Sequence, residues 1–475
     1  MGTTNSEELY KRWGLPIEAI EGLGERLTAF HGQYREYMRS KTRDTSEYGL
    51  HYLSGLLRME SQRTMANIGR LSAIGEQNMQ QFISDSPWSA SRLIAKVQAE
   101  ISDRAEYQSG SVLIFDESAD AKAGETTIGA GRQHNGRLGK VDLCQVGVFL
   151  SLTNNGYQTW IDGELFLPEQ WFSDAYAAKR QRLGLPSERR FATKLELALH
   201  LVQRAQERSV PFVAVDCDAL YGRKGWLRDQ LQQLQIEYYA DTPENTRIYL
   251  TRPLVYFPLT KKGKPAKQPQ VSGCSCLAKA LLTHAQTEWH TLRLRASERG
   301  QLQADFARRR IWTVDADGTC RQEWLLIRRD AKQITYALSN AAPTTDLLTM
   351  AQRKSQRFLI ERTNQDAKSE LGWDEFQAIK YRAWQHHLAL TILASWFVTE
   401  TKLDWAQHFA RDPHLLKQYQ LDVLPTLSVA NVRTLLRAAL PLPQLSPAQA
   451  AALVVQHLDN RTRSRKSRLK NALSP

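Results

Sequence analysis

The sequence predicts a mixed α/β core, interrupted by a β-rich insertion and flanked by helical ends. Three observations carry that reading. Residues 1–105 lack strand-like alternation and are rich in Leu, Met, Ala, Glu and Arg, which predicts several helices. Residues 111–240 alternate short apolar runs with helix-like stretches. A second strand-rich stretch at 246–340 is followed from 344 by helical texture to about 458.

The N-terminal helices are expected around 18–39, 47–67, 73–84 and 89–104. Val112 to Phe115 is a continuous apolar run ending in Asp116, as a buried strand would. Cys144 to Leu152 and Tyr157 to Phe166 flank Asn154-Asn155-Gly156, the signature of a hairpin. Thr193 to Glu207 reads as a helix and Val210 to Val215 as a strand ending at Asp216-Cys217-Asp218. A helix around 223–234 and a strand Ile236 to Ala240 follow, so the core is antiparallel first and parallel later. Strands are then expected at Ile248–Leu250, Leu292–Arg295, Ile311–Val314, Glu323–Arg328 and Ile334–Leu338, with the Lys/Gly/Pro stretch 261–269 an exposed loop. Breaks in the last helical region fall near Pro413, Pro425 and Pro441–Pro443.

Composition bounds the function. The 475 residues allow two to four domains. Apolar residues at 42% and charged residues at 24% exclude wholesale disorder. Five Cys exclude a disulfide scaffold, and Cys274-x-Cys276 has no second pair to complete a zinc site. The start, MGTTNSEELYKRW, has no apolar core for a signal peptide, and its loose Met-Gly-x-x-x-Ser acylation pattern is too short to carry weight. The longest apolar run, Leu388 to Val398, is too short to span a bilayer and reads as a buried helix. A cytoplasmic location is expected.

The net charge is +13, and it is concentrated. Residues 252–310 carry twelve Lys/Arg and three Asp/Glu, a net +9. Residues 459–475 carry six cations (Arg461, Arg463, Arg465, Lys466, Arg468, Lys470) and one Asp, a net +5. The remainder is near neutral. Two basic segments on a neutral body fit a polyanion such as nucleic acid; for the tail alone a solvated end is an equal reading.

Acids at the ends of buried strands are held rigidly, and two or three that converge make a hard-oxygen site for Mg²⁺ or Mn²⁺. Asp116 ends one strand; Asp216 and Asp218 both end another, and spacing does not choose between them. On the predicted helix RFLIERTNQDAKSELG, Arg357, Glu361 and Lys368 are offset by four and seven residues and share one face. Such a face suits a phosphodiester site, with the acid on a metal and the cations on phosphate oxygens; on spacing alone it is more often the pattern of exposed i,i+4 ion pairs. Glu117 and Asp120 lie close enough to Asp116 to join a metal site or to be loop acids. His386 and His387 have no partner at ligand spacing and read as packing residues or as supports behind a site, and Cys144 and Cys217 as buried thiols.

These residues carry a resemblance to the bacterial insertion-sequence DDE transposases with a Tyr-Arg-Glu-Lys signature. Arg357-(3)-Glu361-(6)-Lys368 matches that signature, with Lys354 where the family has Tyr. LIFDESADAKAG matches the first acid followed by Lys-x-Gly, here Asp116, Lys122 and Gly124. The blocks 129–150 and 166–174 are similar too, and DALYG resembles the second-acid motif Asp-x-x-Tyr-Gly, which selects Asp218 over Asp216. The resemblance implies an RNase H-like mixed sheet core in which Asp116, Asp218 and Glu361 bind two divalent metals, Mg²⁺ with Mn²⁺ a substitute. It implies cut-and-paste cleavage of transposon ends and joining to target DNA, with double-stranded DNA and a second copy of the chain as partners. The rival readings are a transposase-derived DNA-binding regulator without cleavage, and an RNase H-like nuclease.

The spacings, 102 residues from Asp116 to Asp218 and 143 from Asp218 to Glu361, leave room for an insertion in the second gap. The expected divisions are 1–105, helical and binding DNA ends; 106–242, the first part of the core; 243–343, the basic β insertion; 344–400, the second part of the core; and 401–475, a helical region with the basic tail. Trp289, Trp312 and Trp324 are candidates for stacking on a displaced base or for packing.

Overall fold

A computed structural model describes residues 14–40, 43–72, 74–136, 138–154, 156–297, 300–331, 333–409, 414–418, 427–442 and scattered positions from 446 to 466. Most of the basic tail, including Arg461, Arg468 and Lys470, lies outside the described residues.

Among the described residues six α-helices precede the sheet: α1 (Ile17–Glu21), α2 (Leu23–Tyr34), α3 (Ser46–Arg58), α4 (Met65–Leu71), α5 (Glu76–Ser84) and α6 (Ala90–Asp103). The single helices expected at 18–39 and 47–67 are each broken. Between α3 and α4, Gln62 takes a φ of 55° and Thr64 caps α4 by accepting the Asn67 N–H at 3.3 Å. In α6, Leu93, Ile94, Val97 and Ile101 form one buried stripe. That stripe faces the long helix that ends the core.

The core sheet consists of β1 (Val112–Ala121), β2 (Gly131–Asn135), β3 (Lys140–Asn154), β4 (Tyr157–Phe166), β5 (Ala214–Cys217) and β6 (Tyr238–Thr242). Its order is β4-β3-β1-β5-β6, with β2 sharing the outer edge of β3. β1, β3 and β4 pair antiparallel, whereas β5 runs parallel to β1 and β6 parallel to β5. Between β4 and β5 lie α7 (Ala177–Arg182) and α8 (Lys194–Glu207); between β5 and β6 lie α9 (Ala219–Gly222) and α10 (Gly225–Gln233). This mixed sheet is consistent with an RNase H-like core. The Asn-Asn-Gly hairpin lies where expected, with Gly156 at φ +90°.

The β-rich segment holds β7 (Arg247–Tyr249), β8 (Leu254–Tyr256), β9 (Gln270–Ser272), β10 (Ser275–Leu277), β11 (His290–Ser297), β12 (Gly300–Val314), β13 (Cys320–Arg329) and β14 (Ile334–Ser339). β14 pairs with β6, so this segment continues the core sheet into one of twelve strands. β8 and β9 form a separate two-stranded ribbon.

Three expectations need correction. The strand at Val112 does not end at Asp116: it runs on to Ala121, because Glu117 and Asp120 are neutralised in place by Lys194 and Lys368. The strand expected at Val210–Val215 is Ala214–Cys217, since Pro211 has no N–H for a central ladder. The continuous helix expected to carry Arg357, Glu361 and Lys368 is three pieces: α11 (Leu347–Lys354), α12 (Phe358–Gln365) and a π turn, Asp366–Glu370. Beyond it, α13 (Tyr381–His408) buries the whole run Leu388–Val398. Short α14 (His414–Gln418) and α15 (Val429–Ala439) complete the described helices. Among the described residues no helix is long and apolar enough to cross a membrane.

Candidate active site

The sheet register brings the two aspartates together. β1 and β5 pair Ile114 with Asp216, an offset of 102. Two residues further on, the same offset sets Asp116 abreast of Asp218. The pairing stops there: β5 ends at Cys217 and the chain turns into α9. On its other side Asp116 stays paired with Phe149. Asp116 is therefore anchored in a rigid strand whose flank is open.

The motif DALYG has a local explanation. The Asp218 carboxylate accepts the N–H groups of Leu220 (2.9 Å) and Tyr221 (3.3 Å), capping α9. Tyr221 is buried edge-on against Phe115, with ring centroids 5.0 Å apart. Gly222 lies so close to β6 that a Cβ there would stand 2.2 Å from the Asp241 carbonyl oxygen. The two N–H groups, the Tyr221 ring and Gly222 together fix where Asp218 stands.

α12 covers this face, with Ile360 packed on Val112 and Ile114. Arg357, just before α12, donates to Glu361 at 2.9 Å, faces Asp241 at 3.2 Å and reaches to 4.0 Å from Asp218. Asp116, Asp218, Arg357, Glu361 and Lys368 all line one cavity of about 1160 Å³. Burial, and then the charge of Asp218, push the Asp116 carboxyl up to about 7, with Arg357 opposing. Burial opposes the charge on Arg357, but Asp241 and Asp216 outweigh it and hold its proton above the usual range.

Asp216 is placed differently. It is fully buried beneath the cavity, 3.0 Å from Lys354, which also pairs with Asp241 at 2.9 Å. Burial pushes the Asp216 carboxyl up, to about 7, against the pull of Lys354. Burial also disfavours the charge on Lys354, yet its two aspartates hold its proton above the ordinary lysine range. The geometry supports the ion pair. The Lys at the family's Tyr position is thus the centre of a buried cluster that also holds Arg357, through Asp241. Asp241 was not among the expected residues, although it directly follows the apolar run that ends at Ala240 and the strand-end argument could have found it.

The helix face predicted for Lys368 is not that of a straight helix. The π turn widens the coil, and Lys368 donates to the Ala119 carbonyl at 2.7 Å and pairs with Asp120 at 3.1 Å. It lines the cavity while tied to β1. Glu117 is bound to Lys194 at 2.6 Å, so neither Glu117 nor Asp120 stands free for a metal. Lys122 is half-buried, its proton affinity lowered by burial, with Nζ 3.4 Å from the Phe376 carbonyl.

His386 and His387 are packing residues, as expected. His386 lies between the Ile83 and Trp88 carbonyls at 2.8 and 2.9 Å, and burial lowers its pKa to about 4. Cys144 and Cys217 are buried thiols. The three tryptophans stack with arginines: Trp289 with Arg329, Trp312 with Arg252, and Trp324 with Arg308 and Arg310. None of them lines the cavity.

The donor set suits a hard divalent cation: oxygen ligands only, with the charge of Asp218 adding to burial in disfavouring the charge on Asp116. Among the described residues, no three acidic, His or Cys side chains form a ready-made metal cluster. Glu361 stands apart, 64% exposed and held to Arg357.

A family model described as DDE superfamily endonuclease matches residues 33–329, more than half of the chain. The chain belongs to that family. The match takes in Asp116 and Asp218 and stops before α12, so it does not reach Glu361. A probable transposase for insertion sequence element IS701 from Microchaete diplosiphon is 25% identical over 204 residues, 41% of this chain and 49% of that protein. The match thus spans about half the length of that relative.

Proposed function

We propose that the chain is an insertion-sequence transposase that cleaves transposon ends and joins them to target DNA by cut-and-paste chemistry. The observation that carries this reading is the meeting of Asp116 and Asp218 on adjacent strands, under the segment that bears Arg357 and Glu361, in one cavity. Family membership supports divalent-metal-dependent cleavage in general, and the relative's printed name supports the insertion-sequence setting.

Asp116, Asp218 and Glu361 are the residues that would hold Mg²⁺, with Mn²⁺ as a substitute. Divalent cations bound there would supply activation of the attacking water or 3′-hydroxyl and stabilisation of the leaving oxygen. Arg357 keeps Glu361 turned aside, and its release lets Glu361 join the two aspartates. Arg357 then offers its guanidinium to a phosphate oxygen. Asp116 holds a proton near neutral pH, which a bound cation would displace. One site can serve both steps, because strand transfer exchanges one phosphodiester for another.

The partners proposed are double-stranded DNA, read at its terminal inverted repeats by the N-terminal helices, and a second copy of the chain, since two ends must be held together. The proposed location is the bacterial cytoplasm, at the nucleoid. The test is a nicking assay on DNA carrying the inverted repeat that flanks the gene, with and without Mg²⁺. Metal-dependent cuts at the repeat boundary are expected; cuts scattered without regard to the repeat would favour a general nuclease.

A further inference from the structure

The ribbon β8–β9 is built the wrong way round for a solvated sheet. Leu254 and Tyr256 alternate onto its free face and are 66% and 43% exposed. Leu259, just beyond, is 73% exposed. The opposite face rests in part on the β12–β13 turn: Val255, Phe257 and Pro269 close around Gly318, where a Cβ would stand 3.2–3.3 Å from them, although Phe257 is still 46% exposed. Among the described residues the ribbon pairs with no other strand. Its tip, Pro258 to Pro269, carries Lys261, Lys262, Lys264 and Lys267, all exposed. Among the described residues no acid pairs with any of the four. The whole stretch 245–287 has seven Lys/Arg and no Asp or Glu.

Exposed apolar side chains beside unpaired cations call for a partner. Charge decides which. A second copy of this ribbon would bring like charge against like, whereas a duplex offers phosphates to the lysines and apolar sugar and base edges to the flat face. A two-stranded ribbon also has the width to enter a DNA groove. We propose that β8–β9 and its tip form a DNA-docking arm, in which the four lysines take backbone phosphates while Leu254, Tyr256 and Leu259 seat in the groove. The arm rests on the reading of the chain as a DNA-processing enzyme and adds to it a contact outside the catalytic cavity.

The test uses the full chain, a fluorescently labelled random-sequence duplex and a KCl series. Two variants probe the arm separately: Lys261→Ala/Lys262→Ala/Lys264→Ala/Lys267→Ala, and Leu254→Ser/Tyr256→Ser/Leu259→Ser. All these side chains are exposed, so both variants should keep the wild-type unfolding midpoint. The lysine variant should flatten the slope of log K against log salt by up to about 3.6, at ~0.9 per phosphate contact. The apolar variant should weaken binding about tenfold or more at every salt concentration, with the slope unchanged. Wild-type affinity and slope in both variants would overturn the arm and leave the cleavage reading intact. A wild-type chain that binds no duplex would overturn both. Self-association without DNA that the apolar variant abolishes would make the surface a contact between copies and overturn the proposal.

Discussion

Asp116 is a carboxylate placed where ionisation is costly. Its pKa rises from 3.8 to about 7 on folding, so between those values the folded chain holds a proton that the unfolded chain has released. Stability therefore falls as pH climbs through that window and levels off above it. Asp116→Asn removes the penalty. In metal-free solution at pH 8 it should stabilise the fold by roughly 1–3 kcal/mol, after discounting for partial exposure, and should change little at pH 4. Urea midpoints at the two pH values check this, and an unchanged or lower midpoint at pH 8 would refute it. Added Mg²⁺ should then raise the thermal midpoint of the wild type but not of the variant. Lys354 makes the opposite case. Lys354→Met leaves Asp216 and Asp241 without their cation, at an expected cost of about 3–5 kcal/mol, part of which Asp216→Asn should restore in the double variant. At this scale the acids that close apolar runs were legible, because a polar residue after such a run stands out, although β1 runs on past Asp116. Lys354 was not, since the sequence shows only a mismatch at the tyrosine position and says nothing of the two aspartates that bury it.

At the scale of elements, apolar runs and turn residues disclosed most of the core. The β3–β4 hairpin, the helix at Lys194–Glu207 and the buried run of α13 all follow from periodicity and Asn-Gly chemistry. The sequence hid two features, each for its own reason. The far half of β1 looks like a loop because its Glu117 and Asp120 are paired with Lys194 and Lys368, partners distant in the chain. The π turn at Asp366–Glu370 has no signature in a helical pattern, yet it is what carries Lys368 back to Ala119. α9 yields a prediction here. Gly222→Ala would force its Cβ onto the Asp241 carbonyl, so α9 must shift and take Asp218 with it. The expected cost is about 1–3 kcal/mol, with DNA cleavage lost and DNA binding kept; full cleavage by a folded variant would show that Asp218 does not depend on this contact.

Across the whole molecule, the β-rich segment is joined to the core and does not hang from it. β14 pairs with β6, and the buried Glu323 of β13 accepts from Arg228 at 2.9 Å and from Tyr238 at 2.7 Å. One cooperative unfolding transition is expected for this segment and the core; calorimetry showing separate transitions would contradict the continuous sheet. Glu323→Ala should lower that transition, because it leaves Arg228 buried beside a vacated partner. The charge arithmetic identified the basic segment from sequence alone, but not that its strands extend the core sheet, since pairing between distant strands leaves no local trace.

The central claim is that Asp116, Asp218 and Glu361 act together as a metal-dependent DNA-cleaving centre. The most direct measurement is cleavage of an inverted-repeat end by the wild type and by Asp116→Asn, Asp218→Asn and Glu361→Gln, with binding to the same DNA followed by gel shift. Wild-type cleavage that requires Mg²⁺, abolished by each variant while binding persists, is the predicted result, because affinity comes from Lys and Arg contacts to phosphate. Cleavage at the wild-type rate by any one of the three would remove that residue from the centre, and metal-independent cleavage by the wild type would contradict the account altogether.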